Sequence, residues 1–417
     1  MTDYYISNSG NDSLAGTSTT QAWATLAMLQ TITLQPGDTV NLEKGSEWRE
    51  PFVNTGIAGT SSSPIVFGCY GSGPNPCING ADIITSQWTE QSGVYCTNVA
   101  YVGDIVFNDN FLLLVPTAAD VALTPNSYHW DSATGELCIS QNPTGSVVEN
   151  AVRSPAALFE FSDHFCIDRI DTKNTDRTGP SSPDAGFGLL IWQSSDFKAT
   201  NLCAWNTQRH GIGDSGTSGS GYYNNVTVKG QVGNKIDPGT FSTGLVSFSD
   251  SPAGTAQITW CNSGTSNDYI GTDGREHNTF IAHGHQIDYL RVYNMHGLGV
   301  ASFINQSANP YDWQIASITT ERLTLGHYVY GCDINLTSPN DPRIRFNGDN
   351  NVLDSTTATG PLAGGPPTIQ NSGLNNVING QPAIDGDLTL PPSNNVVCDF
   401  SEFPCPPVVP YTDIRCL

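Results

Sequence analysis

The sequence has few charged side chains, and few of those are basic. Asp, Glu, Lys and Arg make up 13% of the 417 residues, and 16 Lys and Arg stand against 39 Asp and Glu, which gives a net charge of −23. Binding to nucleic-acid phosphates or to an anionic membrane surface needs a basic patch. The sequence therefore predicts that neither nucleic acid nor a membrane is a partner.

Long apolar runs are also missing. No stretch could cross a bilayer as a helix, and the first residues do not read as a signal peptide. The surface must instead be largely Ser, Thr, Asn, Gln and Gly, whose amides and hydroxyls pair well with sugar hydroxyls. We expect a secreted, extracellular protein seen here in a mature form, or a phage protein that never needed export.

Cysteine is present in an odd number, 11. A bridge between Cys69 and Cys77 would close a Gly/Pro-rich loop, and the Pro-rich tail carries cysteines that could tie it down: Cys398, Cys405 and Cys416. Three more lie within apolar strand runs and are expected to face the core: Cys166, Cys203 and Cys261. No zinc-type spacing occurs, so this usage indicates an oxidising compartment.

The N-terminal region changes pattern once. A short predicted β-strand at Tyr4 to Ile6 is followed by a turn rich in Gly, Asn, Asp and Ser. Apolar residues at spacings of three from Trp23 to Ile32 then predict a short helix. The turn Pro36-Gly37-Asp38 then begins a strand. Short β runs with Gly/Asn turns follow throughout. A helix that occurs once before many short strands is expected to cap the end of a β stack.

This arrangement resembles the N-terminal region of right-handed parallel β-helix proteins that act on polysaccharides, such as pectate and alginate lyases. The residues that carry the resemblance are Tyr5-Ile6-Ser7, Gly10-Asn11-Asp12, Gly16-Thr17, Trp23-Ala24-Thr25-Leu26, Pro36-Gly37-Asp38-Thr39-Val40, Gly45, Trp48-Arg49-Glu50, Pro64-Ile65-Val66 and Tyr70-Gly71-Ser72-Gly73. The resemblance implies an all-β, right-handed parallel β-helix solenoid with a short N-terminal capping helix and an irregular Pro-rich C-terminal tail. It does not imply one reaction, because lyases, hydrolases, epimerases and phage tailspikes share such beginnings.

The composition and strand pattern divide the chain into three predicted regions. Residues 1–50 are expected to form the cap and the first strand, residues 51–355 the parallel β-helix with inserted loops, and residues 356–417 a Pro/Gly/Asn-rich segment that packs on the solenoid. Strand runs predicted to be equivalent begin near Phe165, Phe197, Asn225, Gln257, Gln286 and Trp313. Asn174, Asn206 and Asn294 follow such strands, and a turn ladder of asparagines is the expected structural role for them.

Histidine is concentrated where the loops are longest. Five of the eight His residues lie between residues 210 and 296, and His beside Arg, Glu and Asp suits general acid–base work on a glycan. The catalytic candidates are Arg209, His210, Lys235, Glu276 and His277. The substrate-binding candidates are Trp205, Arg275, His283, His296 and Tyr269. Asp237, Asp268 and Asp273 are candidate ligands for Ca²⁺, the one cofactor considered.

The leading functional hypothesis is a lyase that cleaves an acidic, uronic-acid polysaccharide by β-elimination in a lateral groove. Elimination requires a group that neutralises the carboxylate, for which Arg209, Arg275 or Ca²⁺ would serve. It also requires a base, for which His210, Lys235 or His277 would serve. The strongly acidic composition counts against this hypothesis, because it favours neutral glycans.

Two alternatives remain open. A glycoside hydrolase would need two carboxylates across the scissile bond, and Asp237, Asp268, Asp273 and Glu276 supply candidates. A non-catalytic glycan-recognition protein of the tailspike or adhesin type would bind through Trp and Tyr platforms. The enzyme would be a monomer, whereas a tailspike-like protein would be a trimer.

Overall fold

The structure is a computed structural model. It describes residues 1–176, 186–207, 210–229, 243–249, 256–266, 278–284, 287–297, 300–305, 312–320, 322–337, 343–358, 368–383 and 386–387. No helix among these residues has the length and apolar character needed to span a membrane.

The N-terminal part forms the first coils of a solenoid. Two 3-10 helices, Thr19–Gln21 and Leu26–Thr31, follow the first strand and place Trp23, Leu26 and Leu29 on the end of the core. They take the place of the capping helix that the apolar spacing predicts. The strands are β1 (Asp3–Ile6), β2 (Thr39–Glu43), β3 (Glu47–Trp48), β4 (Phe52–Thr55), β5 (Ile65–Tyr70) and β6 (Cys77–Asn79).

An antiparallel subdomain is then inserted into the second coil. The chain leaves the coil after Gly80, and Ala81 pairs with Ala151 where it returns. A disulfide between Cys96 and Cys138 joins two of its strands. Its elements are β7 (Ala81–Ile83), β8 (Thr89–Gln91), β9 (Val94–Asn98), β10 (Asp104–Phe107), β11 (Asn110–Phe111), β12 (Leu113–Leu114), α1 (Ala118–Leu123), β13 (Ser127–Asp131), β14 (Glu136–Ile139) and β15 (Val148–Ala151).

The solenoid resumes after the insertion and continues to the end of the described chain. Its strands are β16 (Ala157–Glu160), β17 (Asp163–Asp168), β18 (Asp171–Lys173), β19 (Phe187–Trp192), β20 (Ser195–Thr200), β21 (Cys203–Trp205), β22 (His210–Ser215), β23 (Gly219–Asn224), β24 (Thr227–Lys229), β25 (Thr243–Ser249), β26 (Ala256–Cys261), β27 (Gly264–Ser266), β28 (Asn278–Gly284), β29 (Ile287–His296), β30 (Val300–Asn305), β31 (Asp312–Thr320), β32 (Arg322–Leu325), β33 (Val329–Leu336), β34 (Arg343–Phe346), β35 (Val352–Asp354), β36 (Thr357–Ala358), β37 (Thr368–Asn371), β38 (Val377–Ile378), β39 (Gln381–Pro382) and β40 (Gly386–Asp387).

The parallel strands make three faces. The first face runs β1-β2-β5-β17-β20-β23-β26-β29-β31-β33-β35-β38. The second face runs β3-β6-β18-β21-β24-β27 and continues through the C-terminal ends of β29, β31 and β33 to β36. The third face runs β4-β16-β19-β22-β25-β28-β30-β32-β34-β37. The predicted all-β parallel β-helix is confirmed, and the tail from residue 388 onward lies outside the described residues.

The core is a column of side chains from the inward positions of all three faces. Aromatic rings stack along it from coil to coil: Phe165 and Phe197 lie 5.8 Å apart, and the rings of Tyr223 and Trp260 lie 3.6 Å apart and nearly parallel. Each coil repeats the same inward positions, so that these rings pack against rings of the coils above and below, some stacked and some edge-to-face, as Phe197 is on Tyr223.

Asparagines stabilise the corners, as predicted, but in two separate ladders. At the corner from the second to the third face, Asn206 Nδ2 donates to Asn174 Oδ1 at 3.1 Å. Asn294 belongs instead to the corner from the first to the second face, where its Nδ2 donates to Asn262 Oδ1 at 2.7 Å. All four have positive φ, a conformation that asparagine tolerates better than most residues.

One predicted strand run belongs to a different face. The run from Asn225 was expected to follow Phe197, but Phe197 pairs with Gly221 on β23, and β24 lies on the second face. A Cβ on Gly221 would lie 2.7 Å from Phe197 Cζ and 2.8 Å from Ile258 Cδ1. The inward position therefore has to be glycine, and the apolar residue that would identify the strand is missing from the sequence.

Candidate functional site

The outer surface of the second face carries two rows of side chains beside the inserted subdomain. Inward positions such as Ile78 and Ala204 belong to the core, so alternate positions point outward. The first row is Glu47, Cys77, Asp171, Cys203, Thr227, Gly264 and His296. The second row is Asn79, Lys173, Trp205 and Lys229.

Lys173 joins the solenoid to the inserted subdomain. Its Nζ lies 2.9 Å from Glu47 Oε2 and 3.0 Å from Asp109 Oδ1. Asp109 stands at the tip of the β10–β11 hairpin, and Asn206 Nδ2 donates to its carbonyl oxygen at 2.7 Å. Burial lowers the pKa of Lys173, but the two carboxylates outweigh it and raise the pKa above its usual value. The ammonium is therefore held charged.

A buried polar network supports this cluster from the subdomain side. Glu149 is 2% exposed, pairs with Arg49, and accepts hydrogen bonds from Asn79 Nδ2 at 2.9 Å and Asn174 Nδ2 at 3.2 Å. Arg49 Nη2 also lies 2.6 Å from Glu47 Oε1. Because its members come from both the coils and the insertion, the network fixes the hairpin against the second face.

Glu47 and Asp171 differ in their affinity for protons. Burial raises the pKa of Glu47, but Asn79, Lys173 and Arg49 outweigh it and hold the pKa below its usual value. Burial raises the pKa of Asp171 to about 6, against hydrogen bonds from Asn75 and the Cys203 amide. At mildly acidic pH one carboxyl is therefore ionised while the other retains its proton, which is the division that acid–base catalysis uses.

Trp205 and Lys229 continue the second row on the next two strands. Trp205 is half-buried and Lys229 is exposed. Lys173 Nζ lies 5.8 Å from the centre of the Trp205 ring. A partly exposed indole beside hydrogen-bonding groups is a surface on which a sugar ring can stack.

A second buried carboxyl, Asp214, points into the lumen of the solenoid. It accepts hydrogen bonds from Tyr223 Oη at 3.0 Å and Ser247 Oγ at 2.9 Å. Burial raises its pKa to about 7. Because the group is enclosed by the core, its role is structural.

The structure places four of the residues predicted from the sequence. Trp205 and His296 both lie on the outer surface of the second face, the histidine four strands from Asp171 and exposed. His210 begins β22 on the third face, is 4% exposed, and packs against Phe187 with ring centres 4.7 Å apart. His283 lies on β28 of the third face. Their functional roles stay predictions.

The other predicted site residues lie outside the described residues: Arg209, Lys235, Glu276, His277, Arg275, Tyr269, Asp237, Asp268 and Asp273. The three aspartates proposed for Ca²⁺ are among them. Within the described chain, two groups have metal-ligand geometry: Asp163-His164-Asp196 at a corner, and Cys96-Glu136-Cys138, whose cysteines form the disulfide.

Sequence reasoning missed Glu47, Asp171 and Lys173. The search for charged residues followed the longest loops, whereas these three lie on short strands. One signal was present: Asp171-Thr172-Lys173 alternates charged, uncharged and charged, the period-2 pattern of a strand that presents both charges on one surface.

The cysteine expectations need two corrections. Cys69 and Cys77 form no bridge with each other, and both are thiols. Cys166 and Cys261 are disulfide-bonded, as is Cys332. Cys166 and Cys261 alternate with the inward residues Ile167 and Trp260 and so point out of the solenoid. Cys203 precedes the inward Ala204, so it also points outward, and it is a thiol.

Comparison with known proteins agrees with the fold. No protein-family model matches the chain. A structure of XylC with xylose superposes with a TM-score of 0.55 at 12% identity, covering 88% of this chain and 69% of that one. A structure named as a glycoside hydrolase superposes with a TM-score of 0.54 at 9% identity, covering 90% and 97%. The chain therefore shares its fold with these two structures, and this agrees with the parallel β-helix that the N-terminal region suggested.

A sequence relative matches over a shorter stretch. A lacto-N-biosidase of Bifidobacterium longum subsp. longum is 36% identical to the chain over 95 residues, which are 21% of the chain and 6% of that protein. The chain therefore matches only a small part of the length of this relative.

Proposed function

We propose that the protein is a glycoside hydrolase that cleaves a glycan on the outer surface of the second face. One observation supports this proposal above all: Glu47 and Asp171 project from the same row with pKa values displaced in opposite directions. Asp171 is the general acid that protonates the leaving oxygen, and Glu47 is the ionised carboxylate that directs water to the anomeric carbon.

The spacing of the two strands favours inversion of configuration. Glu47 and Asp171 are two strands apart, with Cys77 between them, so about 9.5 Å separates their Cα atoms. Side chains that leave a sheet on the same surface run roughly parallel, so the two carboxyl groups are expected to keep a separation of this order. Inverting enzymes hold their carboxyl groups roughly 6.5–9.5 Å apart, to leave room for a water, whereas retaining enzymes hold them at about 5 Å.

The charge on Lys173 weighs against elimination at this site. A lyase needs a basic residue that is neutral before it takes the proton, and the raised pKa of Lys173 keeps it protonated. The net charge of −23 also favours a neutral glycan over a polyanionic one. The glycoside hydrolase with the same fold and the name of the biosidase relative support the hydrolytic class. The disulfide fits action in an oxidising, extracellular compartment.

The test is a panel of neutral and acidic glycans, with and without Ca²⁺. New reducing ends and the ultraviolet absorbance of a new C=C bond are followed together. We expect reducing ends without absorbance. The activity should fall at least about 100-fold in Asp171→Asn and Glu47→Gln.

Asp196→Asn is the matched control, because Asp196 is an exposed carboxylate at a different corner of the solenoid. It should keep full activity. Absorbance that rises with the reducing ends would make the protein a lyase. Glycan binding with neither signal would make it a recognition protein.

A further inference from the structure

The two proposed catalytic carboxyl groups lie at one end of the second face. Glu47 stands on β3, which pairs with β6 and with no other described strand. The opposite edge of β3 is occupied by the turn that follows β1. There Asn8 Oδ1 accepts a hydrogen bond from the Glu47 amide at 2.8 Å, and the Asn8 amide donates to Ser46 Oγ at 3.4 Å. The second face therefore ends directly beside Glu47.

In the other direction the face continues over several coils. From Asp171 on β18, the first row passes through β21, β24 and β27 to His296 on β29. Each step between strands is about 4.8 Å, so the row extends for about 19 Å beyond Asp171. The described face therefore has the length of several sugar rings on the Asp171 side of the site and ends beside Glu47 on the other.

The longer side has the composition of a surface for a sugar chain. Between its two ends the first row consists of small, uncharged residues: Cys203, Thr227 and Gly264. Trp205 and Lys229 of the second row flank it on one side. Asparagines of the corner between the first and second faces flank it on the other, where Asn225 Nδ2 donates to Asn201 Oδ1 at 2.8 Å. An indole, an ammonium and amides beside a low floor suit the stacking and hydrogen bonding of sugar rings.

The order of the two carboxyl groups sets the direction in which the substrate lies. In an inverting hydrolysis the water oxygen bonds to the anomeric carbon from one side while the bond to the leaving oxygen breaks on the other. Glu47 takes a proton from the water, and Asp171 gives its proton to the leaving oxygen. The line from water to leaving oxygen therefore runs from Glu47 towards Asp171. The sugar chain that leaves lies on the Asp171 side, over Cys203 and Thr227.

We propose, on the basis of the hydrolysis proposed above, that the protein is exo-acting and removes a terminal unit of one fixed size from a neutral glycan. Three strand steps, about 14 Å, separate Asp171 from the turn at Asn8. This length holds a terminal unit of about one or two sugar rings. The unit comes from the non-reducing end, because water adds to its anomeric carbon and the leaving chain retains the oxygen that Asp171 protonates.

Product analysis of the wild-type protein tests the proposal. The substrate is a linear oligosaccharide of a glycan that the panel shows to be cleaved, with a fluorescent label at its reducing end. We expect one unlabelled product of constant size from the earliest times, and labelled chains that shorten by that unit. Labelled products of all lengths at early times, or a short labelled fragment, would overturn exo action and leave hydrolysis intact. If no glycan in the panel gave new reducing ends, hydrolysis itself would be refuted, and exo action with it.

A variant tests the path of the leaving chain. Thr227→Trp places a bulky side chain on the floor two strands beyond Asp171, and it should lower kcat/KM for the oligosaccharide at least about tenfold. An aryl glycoside of the released unit has a leaving group of one ring, too short to reach Thr227, so its kcat/KM should stay unchanged. Thr55→Trp is the matched control, because Thr55 is an exposed threonine on β4 of the third face, and it should affect neither substrate. An equal loss on both substrates in Thr227→Trp, or no loss on either, would overturn this path.

Discussion

Tyr223 Oη donates a hydrogen bond to Asp214 Oδ1 at 3.0 Å inside the lumen of the solenoid, where both side chains are fully buried. Ser247 completes the environment and also accepts from Trp260 Nε1 at 3.0 Å. The carboxyl retains its proton up to a pH of about 7, so the core contains a neutral acid under acidic conditions and a charge under alkaline ones.

The free energy of unfolding should therefore decrease as the pH rises from about 4 to 7. The unfolded carboxyl ionises near 3.8, whereas the folded one does so only near 7, so the folded state binds more protons across that window. A difference of this size corresponds to about 4 kcal/mol. Urea unfolding across this range measures the slope, and Asp214→Asn should flatten it. An equal slope in both proteins would exclude Asp214 as the cause.

The rate should fall on the alkaline side as Asp171 loses its proton. Its pKa of about 6 places the alkaline limb of kcat/KM near that pH, because a general acid works only when protonated. Lys229 lowers this pKa through its charge, and Lys229→Met should move the alkaline limb upward. If the limb stays where it is, the general acid is another group.

Lys173→Met should shift the acidic limb of the pH profile of kcat/KM. Without the ammonium, the pKa of Glu47 rises, and the acidic limb of kcat/KM moves to higher pH while the alkaline limb stays. The variant also removes the contact to Asp109, and we expect a loss of roughly 1–3 kcal/mol in unfolding free energy. The full pH profile of each variant measures both effects, and Lys229→Met is the matched control.

Trp205→Ala should weaken substrate binding more than it slows chemistry. Loss of a stacking surface is expected to raise KM about tenfold, with kcat changed little. Trp192 is a suitable control, since it is also half-buried but packs on Phe161 at the third face. Trp192→Ala should leave KM unchanged, and equal effects of the two variants would remove Trp205 from the binding surface.

Gly221→Ala should destabilise the solenoid by about 1–3 kcal/mol, because the added methyl group overlaps Phe197 and Ile258. Gly68→Ala is the control: it lies on β5 with no atom within 4 Å of the added Cβ, and it should be neutral or slightly stabilising. Thermal unfolding of the two variants compares them. Equal unfolding midpoints for the two variants would show that the core accommodates the methyl group at Gly221 without loss of stability.

The repeat could be predicted from the sequence because each coil contributes apolar residues at alternate positions. Phe165, Phe197 and Trp313 all occupy inward sites that the sequence identifies. The assignment failed at Gly221, where the inward position has no side chain. The insertion after Gly80 was also missed, because its strands have the same length and alternation as the coils and differ only in pairing antiparallel.

The candidate site was harder to predict because it depends on contacts between distant residues. Glu47 and Lys173 are 126 positions apart in the chain, and neither is unusual among its neighbours. Their importance comes from register, which places Lys173 beside Asn79 and Asp171 beside Cys77. Register across coils of unequal length cannot be read from local pattern alone.

The inserted subdomain has one feature with consequences beyond this protein. Its two ends meet, since Ala81 pairs with Ala151 and the Val152 amide donates to the Gly80 carbonyl. The coil on either side continues in register through β6, β16 and β18. Because the two ends meet, the backbone path of the coil does not depend on how many residues the unit contains. A β-helix with this kind of junction can gain a subdomain that borders its binding surface through a single insertion in its gene.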